Sequence, residues 1–538
     1  MGLALRQASG AGLILFKPRR WMHLEAKRLT GKYRASKMIA LLGYWSESTL
    51  RSIQKQGLPY LMNQALSSNL LTKTLVTLSL LAALHSSVTA QVSTAPERTR
   101  LLNDLQVLLS PGPGGQEVLV KLRIHSGAAF DLAGKAGTMA LLGDVLFPDP
   151  NTREYFKEEM QGRLGVATDY DSITITMQGR AREFEQIIEI LRTALVTTQL
   201  TPENIGKARE GRTKIIRETS VLTSAVADRA IAARLFGDFP YGRPYTGTVE
   251  SLDRVQRADV MLARERFLNP NNSTLVIIGQ IQPSRARRAL RQLLGSWRKS
   301  EVIIPATFTQ PAVPNSSTLM INAPAGHSVE VRLAVRGFAR QDPDAAAATL
   351  LTIVARQRWE KLLPDLARNP VFVRRDAFTL PGMFVMGATV DNLLAGKTLA
   401  TAREVMKSLA STPVTVAELE QAKNEALALA NKELAKPDGV AEAWLDIETY
   451  KLPSIAAQIN AFSAISADNL HRAAARLVEK PAFASVVVGN SELVKTQIEQ
   501  LGKVEILGEL DPKVDRKPET KSSPNEVKPQ IKSASKPH

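Results

Sequence analysis

The 538-residue chain predicts an α+β fold, built as two homologous α/β units of about 200 residues, each a largely antiparallel sheet covered by helices. Three observations predict it. A strand-then-helix order runs once before residue 299 and again after residue 317. The stretch between them, KSEVIIPATFTQPAVPNSS, is punctuated by Pro305, Pro311 and Pro314 and reads as a linker. Apolar residues make up 44% of the chain, enough to fill two packed cores.

In the first unit, residues 102–109 (LNDLQVLL) and 117–125 (EVLVKLRIH) alternate apolar and polar positions. The turn residues PGPGG lie between them, which predicts a hairpin. A helix is predicted over 135–146, and residues 172–177 (SITITM) alternate as a strand. Phe184, Ile187, Ile188, Ile190 and Leu191 recur at helical spacing and predict a helix over 183–195. Pro202 then suits the first position of a long helix through Arg217. The second unit repeats the order with strands at 318–321 and 330–336, an alanine-rich helix over 344–355 and a strand at 384–389. Helices over 397–409 and 416–432 and a closing strand at 485–489 (SVVVG) complete it.

Charge is uneven along the chain. Residues 1–61 carry eleven Lys or Arg against two acids, Lys73 adds one more, and 511–538 carry seven against four. About +4 of the formal +17 therefore falls on the folded body, which requires no basic face and argues against nucleic-acid binding. The absence of cysteine excludes disulfides, thiolate catalysis and Cys-type zinc sites.

Residues 75–84 (LVTLSLLAAL) form a short apolar run with Lys73 before it and HSSVTAQ after it. Small residues at Val88 and Ala90 complete a secretory signal over 62–90, with cleavage expected after Ala90. A membrane span would need about 20 apolar residues, so the cleaved protein is expected to carry none. Met62 gives this signal an ordinary start, which makes 1–61 an over-extended or dispensable segment. Residues 511–538, rich in Lys, Pro, Ser and Glu, read as a disordered basic tail. The expected location is periplasmic or secreted.

Several segments carry a family resemblance. LNDLQVLLSP resembles the L-x-N-G-L-x-V opening of the insulinase/pitrilysin peptidases, the family of the mitochondrial processing peptidase, with Asp104 where glycine is usual. FPYGRPYTG at 239–247 resembles H-P-Y-x-x-P-x-x-G, with Phe239 where histidine is common, and NPNNSTLVIIG at 269–279 matches the segment before a strand end. In the second unit, 335–345 (VRGFARQDPDA) resembles G-x-x-x-x-D-P-D-x-x-A, where Asp342 can cap the following helix and Pro343 can open it. The resemblance covers about 96–505 and implies a peptidase-like domain at 96–298, a linker at 299–317 and a second such domain at 318–508. Together these would form half of a clam shell.

The same resemblance identifies what has been removed. Residues 137–147 (GTMALLGDVLF) are similar to G-x-x-H-x-x-E-H-x-L-F, yet Ala140 and Asp144 occupy the histidine positions and Gly143 that of the catalytic glutamate. Zinc hydrolysis needs three ligands, an open position and a carboxylate base. Ala140 and Gly143 supply no donor, and Glu218 fits the family's third ligand. Asp144 and Glu218 without an imidazole would suit magnesium or calcium better than zinc. No two of the six histidines lie at ligand spacing; His125 and His327 read as an edge and a loop residue. The family's substrate-contacting Arg-Gly-Leu-Ala-Tyr segment has its nearest match in RNPVF, with Arg368 retained and Phe372 lacking the hydroxyl.

These readings predict no intact catalytic residue and no bound cofactor, zinc being expected only if the altered site works. The implied function is a substrate-binding, chamber-closing subunit for extended peptides, paired as a heterodimer with an active zinc-peptidase paralogue. A stand-alone peptide-binding envelope scaffold is the alternative. An active metalloendopeptidase with an altered metal site is the second, and the absence of a base at Gly143 opposes it.

Overall fold

The computed structural model describes residues 95–110, 115–301, 308–309, 311–324, 328–363, 371–478 and 483–509. The expected signal, N-terminal segment and basic tail lie outside these residues, as do Arg368 and His327.

The first half contributes strands β1 (Glu97–Arg100), β2 (Gln106–Ser110), β3 (Glu117–Ile124), β4 (Arg163–Thr168), β5 (Ile173–Arg180) and β6 (Ser273–Gly279). Its helices are α1 (Thr138–Val145), α2 (Pro150–Glu158), α3 (Phe184–Arg192), α4 (Pro202–Ser220), α5 (Thr223–Phe236), α6 (Val249–Arg254), α7 (Arg257–Phe267) and α8 (Pro283–Leu294). The second half contributes β7 (Thr318–Asn322), β8 (Ser328–Arg336), β9 (Phe372–Asp376), β10 (Met383–Asp391), β11 (Ala484–Gly489) and β12 (Val504–Glu509). With these strands come α9 (Ala345–Leu362), α10 (Ala395–Ser411), α11 (Val416–Leu434), α12 (Pro437–Tyr450), α13 (Ile455–Ala464), α14 (Ala467–Val478) and α15 (Ser491–Glu499).

Each half makes one six-stranded sheet, in the orders β1-β2-β6-β3-β5-β4 and β12-β7-β11-β8-β10-β9. The pairs β2–β6 and β7–β11 are parallel, and β3, β5 and β4 repeat the antiparallel ladder of β8, β10 and β9. The expected architecture of two α+β units is therefore the observed one.

Local details differ for identifiable reasons. The hairpin expected from 102–109 and 117–125 does not form, because β6 lies between β2 and β3. Every residue of β6 is buried, and an apolar run without polar alternation belongs at a sheet centre rather than an edge. The strand expected from residue 102 starts at Gln106, since Leu101–Leu105 forms a tight turn closed by backbone bonds. Asp104 there has φ 68°, the left-handed conformation for which glycine is the usual residue. The strand at 485–489, β11, is central rather than closing; β12 lies at the edge. The 344–355 helix starts at Ala345 with Asp344 before it, and the expected cap, Asp342, instead accepts the Asp344 N–H at 2.9 Å.

The two halves exchange helices. One face of the first sheet packs on its own helices through Val120, Leu122, Ile175 and Ile277 against Phe184 and Leu142. Its other face, with Leu108, Leu119, Val276 and Ile278, is covered by Val440, Trp444 and Leu445 of α12 from the second half. Reciprocally, Ile231 and Leu235 of α5 cover Val385, Val486 and Val488 of the second sheet. Each covered face also buries cations opposite acids of the borrowed helix. Lys121 and Arg123 of β3 meet Asp438 at 3.1 Å and Asp446 at 2.7 Å, with Glu442 pairing to both, while Arg332 of β8 meets Asp228 of α5 at 2.7 Å.

Candidate functional site

Helix α1 carries the positions to which the resemblance assigns zinc chemistry. Gly137 precedes it at φ 91°, so the helix expected from residue 135 begins only at Thr138. A side chain at Gly137 is excluded by space as well, since a Cβ would lie 2.9 Å from the Cα of Gly247. The Asp131 carboxylate accepts the N–H groups of Gly137 at 2.7 Å and Met139 at 2.9 Å, satisfying donors that a helix start leaves open. Burial pushes this carboxyl up to about 7, against the pull of those two bonds.

The face of α1 is short of donor atoms. Ala140 is fully buried, and Gly143 lies against edge strand β4, where an added Cβ would meet Thr168 Oγ1 and Val166 Cγ1 at 3.1 Å. Asp144 is 27% exposed and its carboxylate is held by Arg212 of α4, through Nε at 2.6 Å and Nη2 at 2.8 Å. The same Nη2 reaches Ala140 O at 3.3 Å. A guanidinium thus spans the two positions that carry histidines in the family motif.

Glu218 does not join this cluster. It stands six residues beyond Arg212 on α4, about 9 Å along the helix axis. Its side chain is 63% exposed and lies 4.0 Å from Lys214. Zinc would need three donors converging on one point. Here two positions offer none, Asp144 is committed to a cation and Glu218 points to solvent. Among the described residues no group of three His, Asp or Glu side chains is placed to hold a metal ion. The residues present do not fit zinc.

The other candidates have their own partners. Phe372, the nearest match to the family's tyrosine, begins β9 and faces Gly387 across the β9–β10 ladder. A Cβ on Gly387 would lie 2.2 Å from the Phe372 ring, so the ring fills the space that the glycine leaves. Arg332 and Arg374 both lie over it, at 4.9 and 5.3 Å from its centroid, and both pair with Asp228 of α5. This ring is packed into the junction between the halves. His125 bonds Thr449 Oγ1 at 3.0 Å and Thr274 Oγ1 at 2.9 Å. Burial, with Arg123 and Lys451 nearby, drives its pKa down to about 3, which keeps it neutral.

Two groups were not legible from the sequence. Arg212 is one of five charged residues in KAREGRTK, and nothing in its spacing marks it as the residue that turns toward α1. The second is a polar knot around Asp171, which accepts the Thr379 N–H at 2.8 Å and faces Tyr241 OH at 3.4 Å. It joins loops of the two halves beneath the rings of Tyr170 and Phe378.

A family model described as the peptidase M16 inactive domain matches residues 254–426. An uncharacterized zinc protease of Mycobacterium leprae is 22% identical over 208 residues, which span 37% of this chain and 46% of that protein, less than half its length. The fold matches a protease from Helicobacter pylori with a TM-score of 0.68 at 17% identity, over 74% of this chain and all of the other. It also matches the first half of PqqL, a periplasmic protease of Escherichia coli, with a TM-score of 0.62 at 14% identity, over 75% of this chain and 94% of that half. Against full-length PqqL the match spans 49% of that chain, with a TM-score of 0.61 at 14% identity. The inactive-domain model matches residues 254–426 and the fold of these proteases extends over about three quarters of the chain, so the chain has an M16 peptidase-like fold and resembles that family in sequence over the matched residues.

Proposed function

We propose that this chain is the substrate-holding, chamber-closing subunit of an envelope peptidase, and that a zinc-bearing relative supplies the chemistry. The observation that carries the reading is the Arg212–Asp144 pair, which fills the face where the family places its metal. A protein that keeps the scaffold and replaces the reactive centre by an internal ion pair can still enclose a peptide.

Edge strand β4 supports the holding role. It ends the first sheet, and its outer edge has no strand partner among the described residues. Extended peptides bind such edges by completing the ladder, with main-chain bonds supplying affinity. The pairing role rests on the family resemblance, in which members of this length class pair two chains, and the match to 49% of full-length PqqL is in keeping with it. The envelope location rests on the signal-like run ending at Ala90 and on the likeness to a periplasmic protease. No helix among the described residues is long and apolar enough to cross a membrane.

The test is reconstitution. The purified chain alone should cleave no peptide, with or without zinc. Mixed with an H-x-x-E-H relative from its own genome, it should form a heterodimer by light scattering and raise that relative's turnover. Chelator-reversible turnover by the chain alone would overturn the non-catalytic reading, and a chain that stays monomeric beside every such relative would transfer the proposal to a stand-alone scaffold.

A further inference from the structure

Arg212 has donors to spare. A guanidinium carries five N–H groups, and here Nε and both hydrogens of Nη2 are directed to the Asp144 carboxylate and Ala140 O. The two Nη1 hydrogens have no acceptor among the described residues. The side chain is 14% exposed, so the pair reaches the surface rather than closing inside the core. Its fork is locked in plane by the carboxylate, and little rotamer freedom remains to be lost when a further acceptor arrives.

Its position relative to β4 follows from helix geometry. Gly143 faces Val166 and Thr168 of that strand. At 100° per residue, positions 140 and 144 stand roughly 60–100° around α1 from Gly143. The guanidinium that bonds both is therefore held about 60–100° around α1 from the residue that packs on β4. Asp144 balances its charge, so the pair is neutral overall. Such a pair suits a dipolar acceptor, a peptide carbonyl, better than it suits an anion that Asp144 would repel.

We propose that Arg212 is a peptide-binding residue, and that its Nη1 amino group donates to a backbone carbonyl of an extended peptide laid along β4. Asp144 is the positioning residue that aims it. In this chain a fixed guanidinium takes over the carbonyl-holding half of a metal's work, without the water activation that would cut the bond. The inference rests on the peptide-holding reading above and adds the group that anchors the chain.

The test uses the full mature chain and a fluorescein-labelled, C-terminally amidated 15-residue peptide of alternating apolar and polar residues, without acidic side chains. Anisotropy measures affinity, and amide hydrogen exchange reports protection of β4. The expected result is β4 protection in the wild type, with affinity at least tenfold weaker in both Arg212→Gln and the paired Arg212→Gln/Asp144→Asn variant. The Asp144→Asn variant should lose a smaller factor, because the fork remains but is no longer held. Should Arg212→Gln not fold, Arg212→Lys keeps the charge while losing the planar fork, and it should bind at least fivefold more weakly. Protection of β4 with affinity unchanged within twofold in these Arg212 variants overturns the inference and leaves the peptide-holding reading standing. Peptide binding without protection of β4 overturns the inference and moves the holding site off that edge, and absence of binding by the wild type overturns the peptide-holding reading as well.

Discussion

Asp446 of α12 is where the charges of the two halves converge. It accepts from Arg123 of β3 at 2.7 Å and also pairs with Arg340. Arg123 is 7% exposed, so Asp446→Ala strands a buried cation with Glu442 as its remaining acid. Removing one partner of a buried pair costs about 3–5 kcal/mol, because the other charge stays desolvated. Glu442 remains in place and Asp446 itself is partly exposed, which puts the loss at the low end, about 3 kcal/mol. The matched control is Glu185→Ala, which breaks the exposed pair with Arg285 and should cost about 0–1 kcal/mol. Over the residues from 95 to 509, an unfolding entropy of about 2.1 cal/mol/K per residue sums to about 0.9 kcal/mol/K. Asp446→Ala should therefore lower Tm by about 3–4 °C and the control by about 1 °C or less. Calorimetry gives the Tm, and urea unfolding followed by tryptophan fluorescence checks the free energy, with Trp444 on the same helix reporting the junction. Equal shifts for the two variants would refute the claim that the halves are locked by buried charge.

Three other outcomes follow from the structure. Installing histidines at 140 and 144 with glutamate at 143 should not restore zinc binding by metal analysis: the glutamate Cβ meets β4 at 3.1 Å and Arg212 occupies the face with positive charge. Adding Arg212→Ala to that variant should improve zinc uptake, and no change would refute the role given to the guanidinium. The Asp131 carboxyl is raised to about 7 in the fold, so its contribution to stability is largest below about 4 and falls as pH rises to about 7. His125, lowered to about 3, acts with the opposite sign over an overlapping range: stability falls as pH drops from about 6.5 toward 3. Between about pH 4 and 6.5, melting curves should show Tm rising more steeply with pH than wild type in Asp131→Asn and falling relative to wild type in His125→Gln. Phe372→Ala should uncover Gly387 and unstack two guanidiniums, costing about 3 kcal/mol by denaturant melts, while Phe372→Tyr leaves peptide affinity unchanged.

Much of the fold was readable because apolar periodicity is a local property. Phe184, Ile187, Ile188 and Leu191 recur at helical spacing because one stripe of that helix must be buried, and all four are. The strand at 172–177 alternates for the same reason, and the repeated order of elements exposed the duplication. Partners were not readable. The alternation in 102–109 and 117–125 says that both are strands, but β6, parallel to the first and paired with it as Gln106 opposite Thr274, takes the place between them. Edge strand β4, with the sequence RLGVAT, has too little apolar character to stand out, because an edge needs little.

The candidate site divides along the same line. The absence of metal donors at Ala140 and Gly143 is a fact of residue identity, and the sequence alone determined it. The left-handed turn at Asp104, with φ 68°, was not read there, because the alternation of 102–109 placed that residue in a strand. What fills the vacated face depends on which side of α4 meets α1, and only the packing of two helices decided that Arg212 rather than Glu218 turns inward. The exchange of α5 and α12 between the sheets was likewise a tertiary decision. A buried Lys121 or Arg123 on a strand reads as a solvent-facing residue until a helix from the other half brings the acids that make its burial tolerable. Residue identity sets which chemistry is possible, and long-range packing sets which charges share a low-dielectric space.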